Sequence, residues 1–155
     1  MLRKIISGGQ TGVDRAALDV ALAMNFPCGG SCPRGRLAED GPIAARYPLD
    51  ELPSRDYSRR TFQNVVDADG TLIITCMEVS GGTAYTVRCA RDRGKPVLII
   101  DPTRVDAPEQ VVEWLRTQQV ETLNVAGPRA SKDAQIHDLS RQLLETVLRM
   151  IHPSP

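Results

Sequence analysis

The sequence predicts an α/β domain: one parallel sheet of about five strands, doubly wound, with helices on both faces. Three observations carry that prediction. Short apolar runs rich in β-branched residues alternate with longer segments whose apolar residues recur every three or four positions. Two of the runs, 71–76 and 97–100, show no polar alternation, as expected of strands buried on both faces. A glycine-bearing turn follows the first, third and fifth runs before a helix begins. Right-handed crossovers place all such turns on one edge of the sheet.

Strand one is expected over residues 4–7. It passes through Gly8, Gly9 and Gly12 into a helix over 13–24, with Val13, Ala16, Ala17, Val20, Ala21 and Met24 as its apolar stripe. A strand that turns through glycines into a helix aims backbone N–H groups and the positive end of the helix dipole at one point, which suits a phosphate. The stretch is neither G-x-G-x-x-G nor G-x-x-x-x-G-K-[ST]. Thr11 and Asp14 stand three apart like a capping box with Asp in place of Glu. Asp14 would then cap the helix, bond a ligand hydroxyl, or orient Arg15.

Residues 26–32 read as a glycine-interrupted second strand. Pro33, Pro42, Pro48 and Pro53 bar a long helix from 33–57, and a connection this long inside a compact domain acts as a functional loop or lid. Of its arginines and those just after it, Arg36, Arg46, Arg55, Arg59 and Arg60 are expected to pair with Glu39, Asp40, Asp50, Glu51 and Asp56 as solvated surface charge. Arg34 is the exception. It follows the carboxyl end of a strand, where ligands bind in open α/β sheets.

A helix over 58–67 should turn Phe62, Val65 and Val66 inward. The buried strand 71–76 leads through Glu78, Ser80, Gly81, Gly82 and Thr83 to a helix over 84–93, closed by Gly94 and Pro96. Strand four is expected over 97–101. The next helix, with Pro108 in its first turn, buries Val111, Val112 and Leu115, and Trp114 beside them is a packing residue or a subunit contact. Strand five over 121–125 leads through Gly127, Pro128, Arg129 and Ser131 to a last helix over 132–151. The expected organisation is a single domain, 1–152, with a disordered tail at 153–155.

At 155 residues the chain can bury a core without disulfides or metals. Nineteen basic residues balance nineteen acidic ones, so no broad field draws it to nucleic acid or an anionic membrane. No run reaches the length of a membrane span, and residues 1–4 enter a strand directly; a cytoplasmic protein without a secretory leader is expected. Cys28, Cys32, Cys76 and Cys89 lack a second pair or a histidine at ligand spacing, so no metal site is expected. The only histidines are His137 and His152, and no Ser-His-Asp order appears. If there is catalysis, the general-base candidates are Asp14, Glu78 and Asp101.

Turns one, three and five can converge on one crevice. It would offer Gly8, Gly9, Gln10, Thr11, Gly12, Asp14 and Arg15 from the first, and Ser80, Gly81, Gly82 and Thr83 from the second. Gly127, Pro128, Arg129 and Ser131 come from the third, and Arg34 or Arg129 would neutralise an anion. The expected ligand is a phosphorylated, nucleotide-like small molecule.

Four ordered stretches suggest a family. They are Ser-Gly-Gly-Gln-Thr-Gly-Val-Asp-Arg-Ala-Ala-Leu-Asp (7–19), Cys-Pro-Arg-Gly-Arg-Leu-Ala-Glu-Asp-Gly-Pro-Ile (32–43), Ser-Gly-Gly-Thr-Ala (80–84) and Leu-Asn-Val-Ala-Gly-Pro-Arg-Ala-Ser (123–131). Together they resemble the molybdenum-cofactor carrier proteins, a branch of a Rossmann-like superfamily that includes the cytokinin-activating phosphoribohydrolases and the Smf/DprA DNA-processing proteins. The resemblance implies a homo-oligomer, dimer or tetramer, that holds the molybdenum cofactor or a related phosphorylated pterin. In the phosphoribohydrolases a P-G-G-x-G-T-x-x-E turn carries a catalytic glutamate. Here the turn is shortened to Gly81, Gly82 and Thr83, and the glutamate position is Thr86. A hydroxyl is no substitute for a carboxylate base, which favours carriage over hydrolysis. The alternatives are a nucleotide-processing enzyme using Asp14 or Glu78, and a sensor of a nucleotide-derived ligand.

Overall fold

A computed structural model describes residues 1–153; residues 154–155, part of the expected tail, lie outside the described residues. The main sheet has five parallel strands: β1 (Lys4–Ile6), β2 (Cys28–Gly29), β7 (Gly70–Ile74), β8 (Val97–Ile100) and β9 (Thr122–Ala126), in the order β2-β1-β9-β7-β8. The strands that precede the three glycine turns are thus adjacent, β1-β9-β7, and their carboxyl ends meet. The registers Ile6↔Asn124 and Ile73↔Ala126 bring those ends level.

Helices α1 (Val13–Ala23), α4 (Ala107–Thr117) and α5 (Ile136–Ile151) cover one face, and α2 (Tyr57–Asp67) and α3 (Gly81–Asp92) the other. The larger core lies under α1, α4 and α5. Ile5, Leu72, Ile74, Leu123 and Val125 of the sheet meet Val13, Val111, Ile136 and Leu148 there, all essentially fully buried. Trp114 packs against this core.

The expected second strand divides at Gly30, whose φ is +129° and whose missing Cβ would lie 2.0 Å from the Ser7 carbonyl oxygen. Beyond it β3 (Ser31–Cys32) leaves the main sheet to pair with β6 (Asp50–Glu51), and β4 (Leu37–Ala38) and β5 (Gly41–Pro42) form a small antiparallel pair. The segment 33–56 is therefore a structured strap with its own core of Ile43, Tyr47 and Leu49 against Leu18 and Cys32. Arg36 is not surface charge. It donates to the carbonyls of Ile43, Ala44, Tyr47 and Leu49 and ties the strap to itself.

Two helices differ from expectation in ways that shape the site. α2 buries Arg60, Asn64 and Val65 and leaves Phe62 40% exposed, because half its inner face looks onto polar groups rather than the apolar sheet. Asn64, for example, accepts from the Ser31 amide at 2.8 Å and donates to its carbonyl at 3.0 Å. α3 starts at Gly81, three residues early, so the glycine pair is the first turn of the helix. α5 starts at Ile136, four residues late, leaving Arg129 and Lys132 on a loop. Among the described residues no helix is long and apolar enough to cross a membrane.

Candidate functional site

At the carboxyl ends of β1, β9 and β7 lies a cleft of about 280 Å³. The first turn supplies Gly8, Gln10 and Asp14. α2 supplies Tyr57, Ser58, Arg60, Thr61 and Asn64, and α3 supplies Gly81, Gly82, Thr83, Tyr85 and Thr86. β9 and the loop after it contribute Asn124, Val125, Ala126, Gly127, Pro128, Arg129 and Lys132.

Nine of the expected site residues thus share the cleft: Gly8, Gln10, Asp14, Gly81, Gly82, Thr83, Gly127, Pro128 and Arg129. Gly9, Thr11, Gly12, Arg15, Arg34 and Ser131 are not among its lining residues, and Ser80 and Glu78 line a smaller neighbouring pocket. Arg34 is exposed, and its backbone N–H donates to the Ser54 carbonyl at 2.8 Å. Tyr57, Arg60, Asn64, Tyr85, Asn124 and Lys132 were not anticipated. Arg60 and Asn64 carry the one available signal, two polar residues four apart on the helix face that holds Val65 nearby.

Three N–H donors in and just after the first turn are already taken. Gly9 N–H donates to Ser7 Oγ at 3.4 Å, Thr11 N–H to Gln10 Oε1 at 3.1 Å and Val13 N–H to the Pro128 carbonyl at 3.3 Å. The capping box does not form: Gly12 is the N-cap, with φ +80°, and makes no side-chain cap. A side chain there would meet Pro128 O at 2.3 Å, so only glycine lets the two loops cross. The Thr11 hydroxyl goes to Glu39 instead, and the Asp14 carboxylate to Arg60.

The strap closes over this turn with two carboxylates. Glu39 accepts from the Thr11 hydroxyl, from the Ser131 N–H at 3.1 Å and from Ser131 Oγ at 2.6 Å, with Arg129 3.9 Å away. Asp40 takes both terminal nitrogens of Arg15 at 2.9 and 3.1 Å, while Arg15 Nε donates to the Gly9 carbonyl. Ser131 and Thr11 hold the Glu39 carboxyl below its ordinary value, and Arg15 does the same for Asp40. Such groups stabilise the fold above the ordinary carboxylate range, and the contribution is lost as pH falls through the lowered folded values. The Ser131 amide chemical shift should therefore titrate below the ordinary glutamate range, and Glu39→Gln should abolish that titration. Titration at the ordinary value would show that the strap contact contributes nothing.

α3 presents the opposite arrangement. Ser80 is its N-cap with no side-chain cap, and the N–H groups of Gly81, Gly82 and Thr83 meet no acceptor among the described residues. Nothing lies within 4 Å of a Cβ added at Gly82, while one at Gly81 would be 3.0 Å from Lys132 Nζ. Three cations line the cleft, Arg60, Arg129 and Lys132, against one carboxylate, Asp14. Arg60 Nη1 and Asp14 Oδ2 are 2.9 Å apart, with side chains only 11% and 8% exposed. Burial pushes the Asp14 carboxyl up, against the lowering by Arg60. The remaining excess is positive, at a helix N-terminus: this is anion-binding chemistry. Tyr57 adds an aromatic face, 5.5 Å from the Arg60 guanidinium and 5.9 Å from that of Arg129.

Comparison with known proteins agrees with this architecture. The model of the circularly permutated YpsA SLOG family matches residues 5–148. The crystal structure of a protein described as a putative molybdenum carrier, from Syntrophus aciditrophicus SB, is 47% identical over 95% of each chain, with a TM-score of 0.90. No curated protein matches the chain.

Proposed function

The chain belongs to the circularly permutated YpsA SLOG family, a ligand-binding Rossmann-like fold, and on that premise we propose that it carries or stores the molybdenum cofactor, a phosphorylated pterin. The observation that carries the reading is the cleft itself: three free N–H groups at the start of α3, with Lys132 and Arg129 beside them. The ligand's phosphate sits on residues 81–83 and its ring lies toward Tyr57 and Tyr85. Helix dipole and lysine charge favour the dianion, and backbone N–H groups bind it without demanding a particular ring. The molybdenum-carrier description of the Syntrophus protein supports the choice of cargo.

Cleavage of a nucleoside monophosphate would need a base in the cleft. The one carboxylate lining it among the described residues, Asp14, is bound to Arg60, and the Thr86 hydroxyl donates to the Gly82 carbonyl at 3.0 Å.

The test is purification of the protein from a host that makes the molybdenum cofactor and from one that cannot. Pterin and molybdenum, measured by oxidised-pterin fluorescence and elemental mass spectrometry, should accompany the first preparation only. Release of base from nucleoside monophosphates, lost in Asp14→Asn, would replace the carrier reading with an enzymatic one.

A further inference from the structure

Among the described residues, two buried side-chain donors of the cleft lining have no partner: Gln10 Nε2 and Arg60 Nε. Both residues line the cleft, and they are only 5% and 9% exposed. The Gln10 amide has a fixed orientation. Its Oε1 accepts the Thr11 N–H at 3.1 Å and the Glu39 N–H at 2.8 Å, and an amide nitrogen could accept neither. Nε2 is therefore the free end. Arg60 is held in place by Asp14, which accepts from its Nη1 at 2.9 Å. A buried donor left unpaired is costly, so a ligand that brings an acceptor to either of them recovers that cost.

We propose that Gln10 and Arg60 form an acceptor-reading subsite that selects a heterocycle bearing a ring carbonyl over one bearing an amino group at that place. A carbonyl oxygen offers two lone pairs to such donors. An exocyclic amino group would set a donor against donors and leave all of them unsatisfied. The ring carbonyl is common to pterins, guanine and hypoxanthine, and adenine lacks it. The proposal rests on the cleft being the ligand site and adds what part of the ligand is read, and by which atoms. The strap has a part in this, since the Glu39 N–H helps hold the Gln10 amide in its orientation.

The experiment is calorimetric titration of the full-length protein with inosine monophosphate, adenosine monophosphate and neopterin monophosphate. Inosine and adenosine monophosphates differ at C6, carbonyl against amino, and at N1, which carries a proton only in the inosine base. Inosine monophosphate should bind at least about tenfold tighter than adenosine monophosphate, the discrimination expected of a site built to hydrogen-bond the group in question. Gln10→Glu keeps an acceptor for the Thr11 and Glu39 amides and replaces the free donor with a charged acceptor. It should weaken inosine and neopterin monophosphates about 30-fold more than it weakens adenosine monophosphate. Equal binding of inosine and adenosine monophosphates to the unaltered protein overturns the subsite while leaving the cleft as the ligand site. Should Gln10→Glu fail to fold, that comparison in the unaltered protein still decides. If none of the three binds, the cleft reading falls and the subsite with it.

Discussion

Arg60→Met should lower the stability of the fold by about 3–5 kcal/mol, the loss typical when one partner of a buried ion pair is removed. The guanidinium lies over Gly8, close enough that a Cβ there would meet Nη1 at 1.4 Å, and its carboxylate partner among the described residues is the buried Asp14. Methionine fills much of the stem volume, so the loss reports the stranded carboxylate rather than a cavity. The pH dependence separates the two. Burial already raises the Asp14 carboxyl in the folded chain, and without Arg60 it rises further. A carboxyl raised on folding contributes stability below its unfolded value and loses it as pH rises through the folded one. The deficit of Arg60→Met relative to the unaltered protein should therefore be largest at neutral pH and shrink on acidification, as denaturant melts at several pH values would show. A deficit independent of pH would mean that packing, not charge, explains the burial of Arg60.

Lys132→Glu should weaken binding of a phosphorylated pterin by about 100-fold, through loss of a charge-assisted hydrogen bond and its replacement by a like charge. Lys132 is exposed and makes no ion pair among the described residues, so its substitution should leave the melting temperature nearly unchanged. That separation of affinity from stability marks a ligand contact. A companion variant, Gly82→Val, tests the N–H groups themselves. A side chain at Gly82 meets open space and no left-handed backbone, so the fold should tolerate it while the branched group covers the helix end. Unchanged affinity in both variants, measured by fluorescence titration, would remove the start of α3 from the site.

The expected β-α order appears in the structure because its signal is local: unbroken apolar runs such as 71–74 and stripes such as that of α5. The convergence of the three glycine turns also follows from handedness alone, and the strand order β1-β9-β7 realises it. Less legible was how differently the two turns are enclosed. Residues 8–12 and 81–83 look alike in sequence, yet the first turn is closed by Gln10 Oε1 and Pro128 O and strapped by Glu39 and Asp40. The contacts to Pro128, Glu39 and Asp40 span 25 residues or more, and no local pattern encodes them. Arg60 was hidden for the same reason. Among six arginines in a proline-rich stretch and the helix after it, only the pairing with Asp14, 46 residues away, sets it apart. Phe62 carried a misleading signal, because apolar periodicity cannot reveal that the helix faces a polar cleft.

The central claim, that phosphate binds at the start of α3, is tested most directly by a crystal structure of the protein with a phosphorylated pterin. The phosphate should lie within hydrogen-bond reach of the Gly81, Gly82 and Thr83 N–H groups and of Lys132 Nζ. Density for the phosphate against the Gly9 and Gly12 turn, or outside the cleft, would contradict it.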